Sequence, residues 1–226
     1  MQFNEAQIQA IQHNTGPCMV IAGPGSGKTT VLTHRVRYLI ERYGVNPSDI
    51  LVITFTKAAA EQMKLKFKGL SEGRNSAVTF GTFHAVFFTI LKAAYNYSAH
   101  CIIKPQIQHE FVKDQMCRLE LEYDDENEAV AGVLSEISCV KGEDVNIDEY
   151  ESRCIPPQSF RIMYRAYDDM LVRKHLIDFD DMIVQCRELL MQREDYRRAW
   201  QNKYKYILID EFQDINKAQF DVVRIL

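Results

Sequence analysis

Between Ala22 and Thr29 the chain reads AGPGSGKT, with the apolar run CMVIA (18–22) leading into it and the helical pattern TVLTHRVRYLIERY (30–43) following it. Glycine at 23, 25 and 27 lets the backbone turn through conformations closed to other residues, and a helix that starts at the end of such a loop aims its unpaired N–H groups back into it. Strand, glycine-rich loop and helix in this order cradle phosphate oxygens. The cradle consists of Ala22, Gly23, Pro24, Gly25, Ser26, Gly27, Lys28, Thr29 and Thr30. Lys28 is placed to reach the β and γ phosphates, and Thr29 to offer its hydroxyl to Mg2+. Ala22 stands where the strict pattern has glycine, a change small enough for the same turn.

Three further apolar runs rich in β-branched residues, ILVITF (50–55), AVTF (77–80) and YILID (206–210), also precede helical patterns. Four buried strands alternating with amphipathic helices predict an α/β fold, a parallel sheet with helices on both faces. Between the third and fourth runs lie more than a hundred residues of helical periodicity, with one weak strand candidate at Cys101–Ile103. That is too long for a crossover. The reading is an inserted, mainly helical domain over 94–199, punctuated by Pro105, Pro156 and Pro157, with the α/β part at 1–93 and 200–226.

The fourth run ends in Asp210 and Glu211, at the start of DEFQD. A carboxylate at the end of a parallel strand faces the crevice where phosphate binds. Asp210 is expected to hold Mg2+ and Glu211 to accept a proton from the water attacking the γ-phosphate. Loop and acids together predict a Mg-dependent ATPase.

Bulk properties set the setting. A chain of 226 residues, 46% hydrophobic and 26% charged, lies in the globular range. No apolar run approaches the roughly 18 residues that read as a membrane span, and the start MQFNEAQ has no signal-peptide pattern, so a cytoplasmic protein without a membrane partner is expected. Cys18, Cys101, Cys117, Cys139, Cys154 and Cys186 are scattered without a CxxC pair, which predicts reduced, mostly buried thiols and no zinc site. The net charge of −4 conceals an uneven distribution. Lys57, Lys64, Lys66, Lys68 and Arg74 stand against only Glu61 and Glu72, whereas Glu120–Glu151 holds twelve acids against Lys141 alone. Solvated helix faces account for both runs.

Three more segments complete a pattern: FNEAQIQAI (3–11), TFTKAAAEQM (54–63) and GTFHAVF (81–87). With AGPGSGKT and DEFQDINKAQF (210–220), they resemble the N-terminal part of UvrD/Rep-type (PcrA-like) superfamily I DNA helicases, from Phe3 to the end of the chain. The implied fold is the RecA-like P-loop NTPase domain 1A with domain 1B inserted into it. The resemblance makes Gln7 the reader of adenine, a role its amide suits because it offers both a donor and an acceptor. Thr30 stands where many relatives carry an arginine beside the base.

The resemblance also makes Thr54, Phe55, Thr56 and Lys57, then Thr82, Phe83 and His84, contacts to single-stranded DNA, with stacking on Phe55 and cationic attraction from Lys57. Lys57 directly follows Thr56, where many members have Asn first. Phe55 and Phe83 also read as core aromatics, and His84 as a helix-start residue. Gln213 and Asp214 extend the acidic motif and are implied to couple hydrolysis to movement, with Gln219 on the following helix. LIDFDDM (176–182) resembles a family segment too, although Asp178 and Asp181 equally read as a capped helix start. Arg35 matches a common family position whose role spacing does not give.

For the full-length protein the implied activity is an ATP-driven 3′ to 5′ motor on single-stranded DNA and duplex junctions, using Mg-ATP. The family's second RecA-like domain, which supplies arginines to the transferring phosphate, comes after the point where this chain stops, twelve residues past Asp214. Alone, then, these residues are expected to fold and bind Mg-nucleotide weakly, with little DNA-stimulated ATPase or unwinding. Two rival readings stand: a helicase subunit of a RecB/AddA-type helicase-nuclease, or a nucleotide-sensing binding module without motor activity.

Overall fold

The central strand β1 (Ile50–Thr54) is buried along its whole length. It pairs in parallel with β2 (Thr79–Thr82) on one side and β3 (Tyr206–Ile209) on the other, with Leu51 opposite Thr79 and Ile207. The computed structural model describes residues 3–71 and 77–226. They form two compact units, one of residues up to Val86 with Arg197–Asp214, the other of Phe87–Tyr196 with Ile215–Ile225.

In the first unit, successive residues of β1 point to opposite faces. Ile50 and Val52 join a core with Val36 and Leu39 of α2 (Lys28–Tyr43), Met63 and Phe67 of α3 (Lys57–Leu70), Val78 and Leu208. Leu51 and Ile53, on the other face, are equally buried. Each such side chain contributes about 1.5–3 kcal/mol by leaving water. That is why β1 reads as an uninterrupted apolar run. The short α1 (Glu5–Gln12) lies on α2 through Ala10, Ile11 and Val31. On the edge strand, Tyr204 donates to Thr79 Oγ1 at 3.3 Å, and Tyr204 stacks at 5.9 Å from the buried Trp200 near the end of α9 (Glu194–Lys203).

The predicted strand at Cys18–Ala22 does not form. These residues make no ladder, and Met19 and Ile21 are 70% and 91% exposed. Strand propensity is a property of the run, but a strand exists only with a partner beside it, and among the described residues this run pairs with neither edge of the β2-β1-β3 sheet. The candidate at Cys101–Ile103 reduces to a single bridge between Ile102 and Ile177. The cysteines also differ from expectation: all six are free, but only Cys186 is buried, the others lying on helix faces and loops that meet solvent. Lys57, Lys64, Lys66 and Lys68 are exposed on α3, while Glu72 and Arg74 lie outside the described residues. Among the described residues no helix is long and apolar enough to cross a membrane.

The second unit is helical. It comprises most of α4 (Phe83–Ala94), then α5 (Pro105–Arg118), α6 (Glu126–Glu143), α7 (Pro157–Lys174), α8 (Phe179–Gln192) and α10 (Lys217–Ile225). Pro105 and Pro157 occupy first-turn positions, where the missing N–H costs nothing. The sequence-based border placed α10 with the sheet, but it packs on α6 and α8. Val112, Met116, Val133, Ile137, Phe160, Met163 and Tyr167 form the core. The fully buried Tyr167 keeps its hydroxyl satisfied by accepting from Gln108 Nε2 at 2.6 Å.

The lone lysine of the acidic stretch sits inside this unit. Lys141, its side chain 4% exposed, reaches Asp178 at 2.9 Å, Asp181 at 2.7 Å and Asp168 at 3.1 Å, and lies over the Tyr167 ring. Asp178 and Asp181 also form the capping box of α8, so LIDFDDM is a capped helix start tied to α6. One ammonium for three carboxylates leaves negative charge in excess. Burial, then the charge of Asp178, push Asp181 up to about 6 against the pull of Lys141; Tyr164 and Tyr97 also face it, and Asp168 shares its lysine.

The folded protein therefore holds a proton that the unfolded chain releases at about pH 4. Stability from this group is full below that value and is lost as pH rises through about 6. Asp181→Asn keeps one oxygen, turned to Lys141, gives up the acceptor that the Asp178 N–H meets on the second oxygen, and does not ionise. Urea unfolding of this variant between pH 4 and 6 should show a flatter pH dependence than wild type, and an unchanged slope would refute the assignment.

Candidate nucleotide and nucleic-acid site

The glycine-rich loop runs straight into α2. Gly27 is the N-cap, with φ at 84°, and no side chain caps the helix, so the first N–H groups of α2 face the loop. Gly25 has φ at 75°. A Cβ at Gly25 would meet nothing within 4 Å, so conformation and not crowding requires glycine there. Lys28 Nζ donates to the carbonyls of Ala22 at 3.2 Å and Gly23 at 3.4 Å, closing the loop on itself, and Ser26 N donates to Gly23 O. Pro24 is exposed, while Thr29 and Thr30 are half-buried, their carbonyls accepting from Thr33 Oγ1.

Gln7 already has partners. Asn4 Oδ1 accepts from Gln7 N, Gln7 Oε1 accepts from Asn4 N, and together they form the capping box of α1. Its Nε2 donates to Ser26 O at 3.1 Å, joining α1 to the glycine-rich loop.

The acids stand at the end of β3. Asp210 is buried, and its N–H extends the ladder by donating to Ile53 O at 2.9 Å. Burial, then the neighbouring charge of Glu211, raise the Asp210 carboxyl above the usual range, while Lys28 pulls the other way. A carboxylate held in that state is stabilised by a cation beside it. With the Thr29 hydroxyl nearby in sequence on the loop's helix, the donor set is all oxygen, which suits Mg2+. Glu211 adopts φ of 53°, a left-handed conformation that costs a residue with a Cβ about 1–2 kcal/mol. Its carboxylate is held from outside: Gln213 Nε2 donates to Glu211 Oε2 at 2.7 Å and to Asp214 Oδ2 at 3.2 Å.

The other motif segments leave the same, carboxyl edge of the parallel sheet, where Thr54 pairs with Thr82 and Ile53 with Ile209. Thr54 is buried. Phe55 is half-buried, its ring edge-on to Phe83 at 5.5 Å, and Phe83 is 1% exposed, a core residue under Phe55. Thr56 caps α3 by accepting from Ala59 N at 3.1 Å, and Thr82 Oγ1 accepts from Ala85 N at the start of α4. Lys57 projects into solvent 3.9 Å from Glu61. Burial lowers the His84 pKa, so its ring is neutral at pH 7.

One residue at this site was not assigned a role from sequence. Arg35, one helical turn beyond Val31 on the α2 face that carries α1, donates to the carbonyls of Ala10 and His13. That one-turn spacing from an apolar contact was the available signal.

A glycine-rich loop opening a helix, beside a strand-end acid pair on a parallel sheet, defines a P-loop α/β protein. Residues 3–226 match the UvrD/REP helicase N-terminal domain model, and the chain belongs to that family. It is 34% identical to the ATP-dependent DNA helicase Rep of Escherichia coli over 100% of the chain and 34% of Rep. It is similarly 34% identical to the putative ATP-dependent DNA helicase YjcD of Bacillus subtilis, over 99% of the chain and 30% of that protein. Against PcrA of Staphylococcus epidermidis it is 32% identical over 99% of the chain and 31% of the relative. The chain thus spans about a third of the length of these relatives.

Proposed function

We propose that this chain is the ATP-hydrolysing and DNA-contacting N-terminal part of an ATP-dependent DNA helicase that moves 3′ to 5′ on single-stranded DNA. The carrying observation is the convergence of the motif segments at the carboxyl edge of one parallel sheet, where Asp210 N donates to Ile53 O and so sets the acid pair beside the strand that leads into Thr54–Lys57. A triphosphate supplies the acceptors that draw Lys28 off the Ala22 and Gly23 carbonyls, and the uncapped N–H groups of α2 receive its oxygens. Glu211, oriented by Gln213, takes the proton of the attacking water. Thr29 and Asp210 would hold Mg2+, which neutralises phosphate charge when bound. To face adenine, Gln7 Nε2 exchanges its bond to Ser26 O for the base.

On the DNA side, Phe55 offers its face to a base and Lys57 its charge to a phosphate. Phe83 supports the Phe55 ring from beneath, and the neutral His84 serves as a hydrogen-bonding group. Thr54 is packed inside and Thr56 and Thr82 are caps, so these three set loop geometry.

ATP hydrolysis by the full-length protein, with and without single-stranded DNA, tests the reading. Stimulation of about tenfold or more is expected if DNA completes the site. A rate indifferent to DNA would favour a nucleotide-sensing module. Unwinding of a duplex with a 3′ tail but not a 5′ tail is the expected polarity result.

A further inference from the structure

Helix α1, from Glu5 to Gln12, is too short to persist alone. Its apolar hold on α2 is a small cluster, Ala10 and Ile11 against Val31 with Phe3 and Tyr38 packed alongside, and Phe3 lies edge-on to His34 at 4.8 Å. The polar hold is specific. Arg35 Nη1 donates to Ala10 O at 3.1 Å and to His13 O, and Tyr43 donates to Gln12 O at 3.0 Å. A helix leaves its last carbonyls unpaired and its C-terminus partly negative, so a guanidinium there both satisfies acceptors and meets favourable charge. The last turn of α1 itself contains no basic residue. At the other end of the same short helix, Gln7 reaches Ser26 in the glycine-rich loop. Because α2 starts at that loop, Arg35 fixes the end of α1 to the element that places the phosphates.

We infer that Arg35 is a positioning residue for base recognition: it clamps the C-terminal carbonyls of α1 to α2 and so holds Gln7 at a fixed distance from the phosphate cradle. The hydrogen bonds of Arg35 go to the carbonyls of Ala10 and His13, at the end of α1. Arg35 sets where the base reader stands relative to the phosphates, which makes it a determinant of adenine preference and not of phosphate affinity. The inference rests on the proposed reading of Gln7 as the base reader.

The experiment measures affinities of Mg-ATP, Mg-GTP and inorganic tripolyphosphate for wild type, Arg35→Ala, Arg35→Lys and Gln7→Ala. Arg35→Ala is expected to reduce the ATP-over-GTP preference by about tenfold while tripolyphosphate affinity stays within about twofold. Arg35→Lys keeps a cation at the end of α1 and should retain part of the preference. An equal loss of all three ligands in both Arg35 variants would overturn the inference, since the residue would then serve only the fold. Should Arg35→Ala not fold, the lysine variant decides alone, by the same comparison of ATP, GTP and tripolyphosphate. If Gln7→Ala abolishes the preference while the Arg35 variants keep it, the clamp is refuted and the Gln7 reading survives. If Gln7→Ala leaves the preference intact, the reading of Gln7 fails and the role of Arg35 with it.

Discussion

Replacing Glu211 with glutamine in the full-length protein should lower DNA-stimulated ATP hydrolysis by about 10²–10⁴-fold, the usual contribution of a positioned general base. Nucleotide affinity should hardly change. Glutamine has the same shape, and its carbonyl oxygen can still accept from Gln213 Nε2, which now meets Glu211 Oε2 at 2.7 Å. The left-handed backbone at 211 is also unaffected, because both residues carry a Cβ and meet the same strain. What disappears is the ability to take a proton from water. Turnover of Glu211→Gln at the wild-type rate, with nucleotide binding intact, would show that another group is the base. Gln213→Ala offers a graded companion: it leaves the carboxylate in place but removes the donor that orients it.

The second large effect concerns stability. Lys141→Ala should destabilise the protein by about 3–5 kcal/mol, because it strands Asp178 and Asp181 without their buried cation. The loss should appear as a lower midpoint in urea, read by far-UV circular dichroism. The exposed pair Arg37 and Glu41, 2.8 Å apart on α2, is the contrast: Arg37→Ala should cost only about 0.3–0.5 kcal/mol. Equal effects at the two sites would mean that the Asp178, Asp181 and Asp168 carboxylates find other partners when the lysine is gone.

The glycine-rich loop and DEFQD could be read from sequence because their chemistry depends on residues a few positions apart. The same is true of β1, where burial on both faces imposes an apolar run, and of the capping box at Asp178 and Asp181, where one residue caps another three positions on. Pairing across the chain left no such local trace. Cys18–Ala22 has every side-chain property of a strand, yet nothing within the run states whether an edge will be available to it. Phe55 and Phe83 occupy similar motif positions, but one lies half-buried on top of the other, a distinction made by tertiary packing.

Lys141 was conspicuous as the one base among twelve acids, yet the composition of the stretch suggested a solvated surface. Its true partners come from α7 and from the start of α8. Gln7 shows a further kind of ambiguity. The amide that suits adenine suits a capping box equally well, and in this structure it makes the box and also bonds the glycine-rich loop.

Trp200, buried beside Tyr204 in the sheet-containing unit, is the chain's single tryptophan. Its emission therefore carries light from that unit alone. The Lys203 ammonium 4.4 Å from the indole makes the signal sensitive to any shift at the end of α9, and Tyr204 can feed it excitation energy. Far-UV circular dichroism, in contrast, sums the helices of both units, α2 and α3 in the one and α5, α6, α7 and α8 in the other. One optical signal thus reports a single unit and the other the whole chain, and transitions that fail to coincide on denaturation would show that the units melt independently.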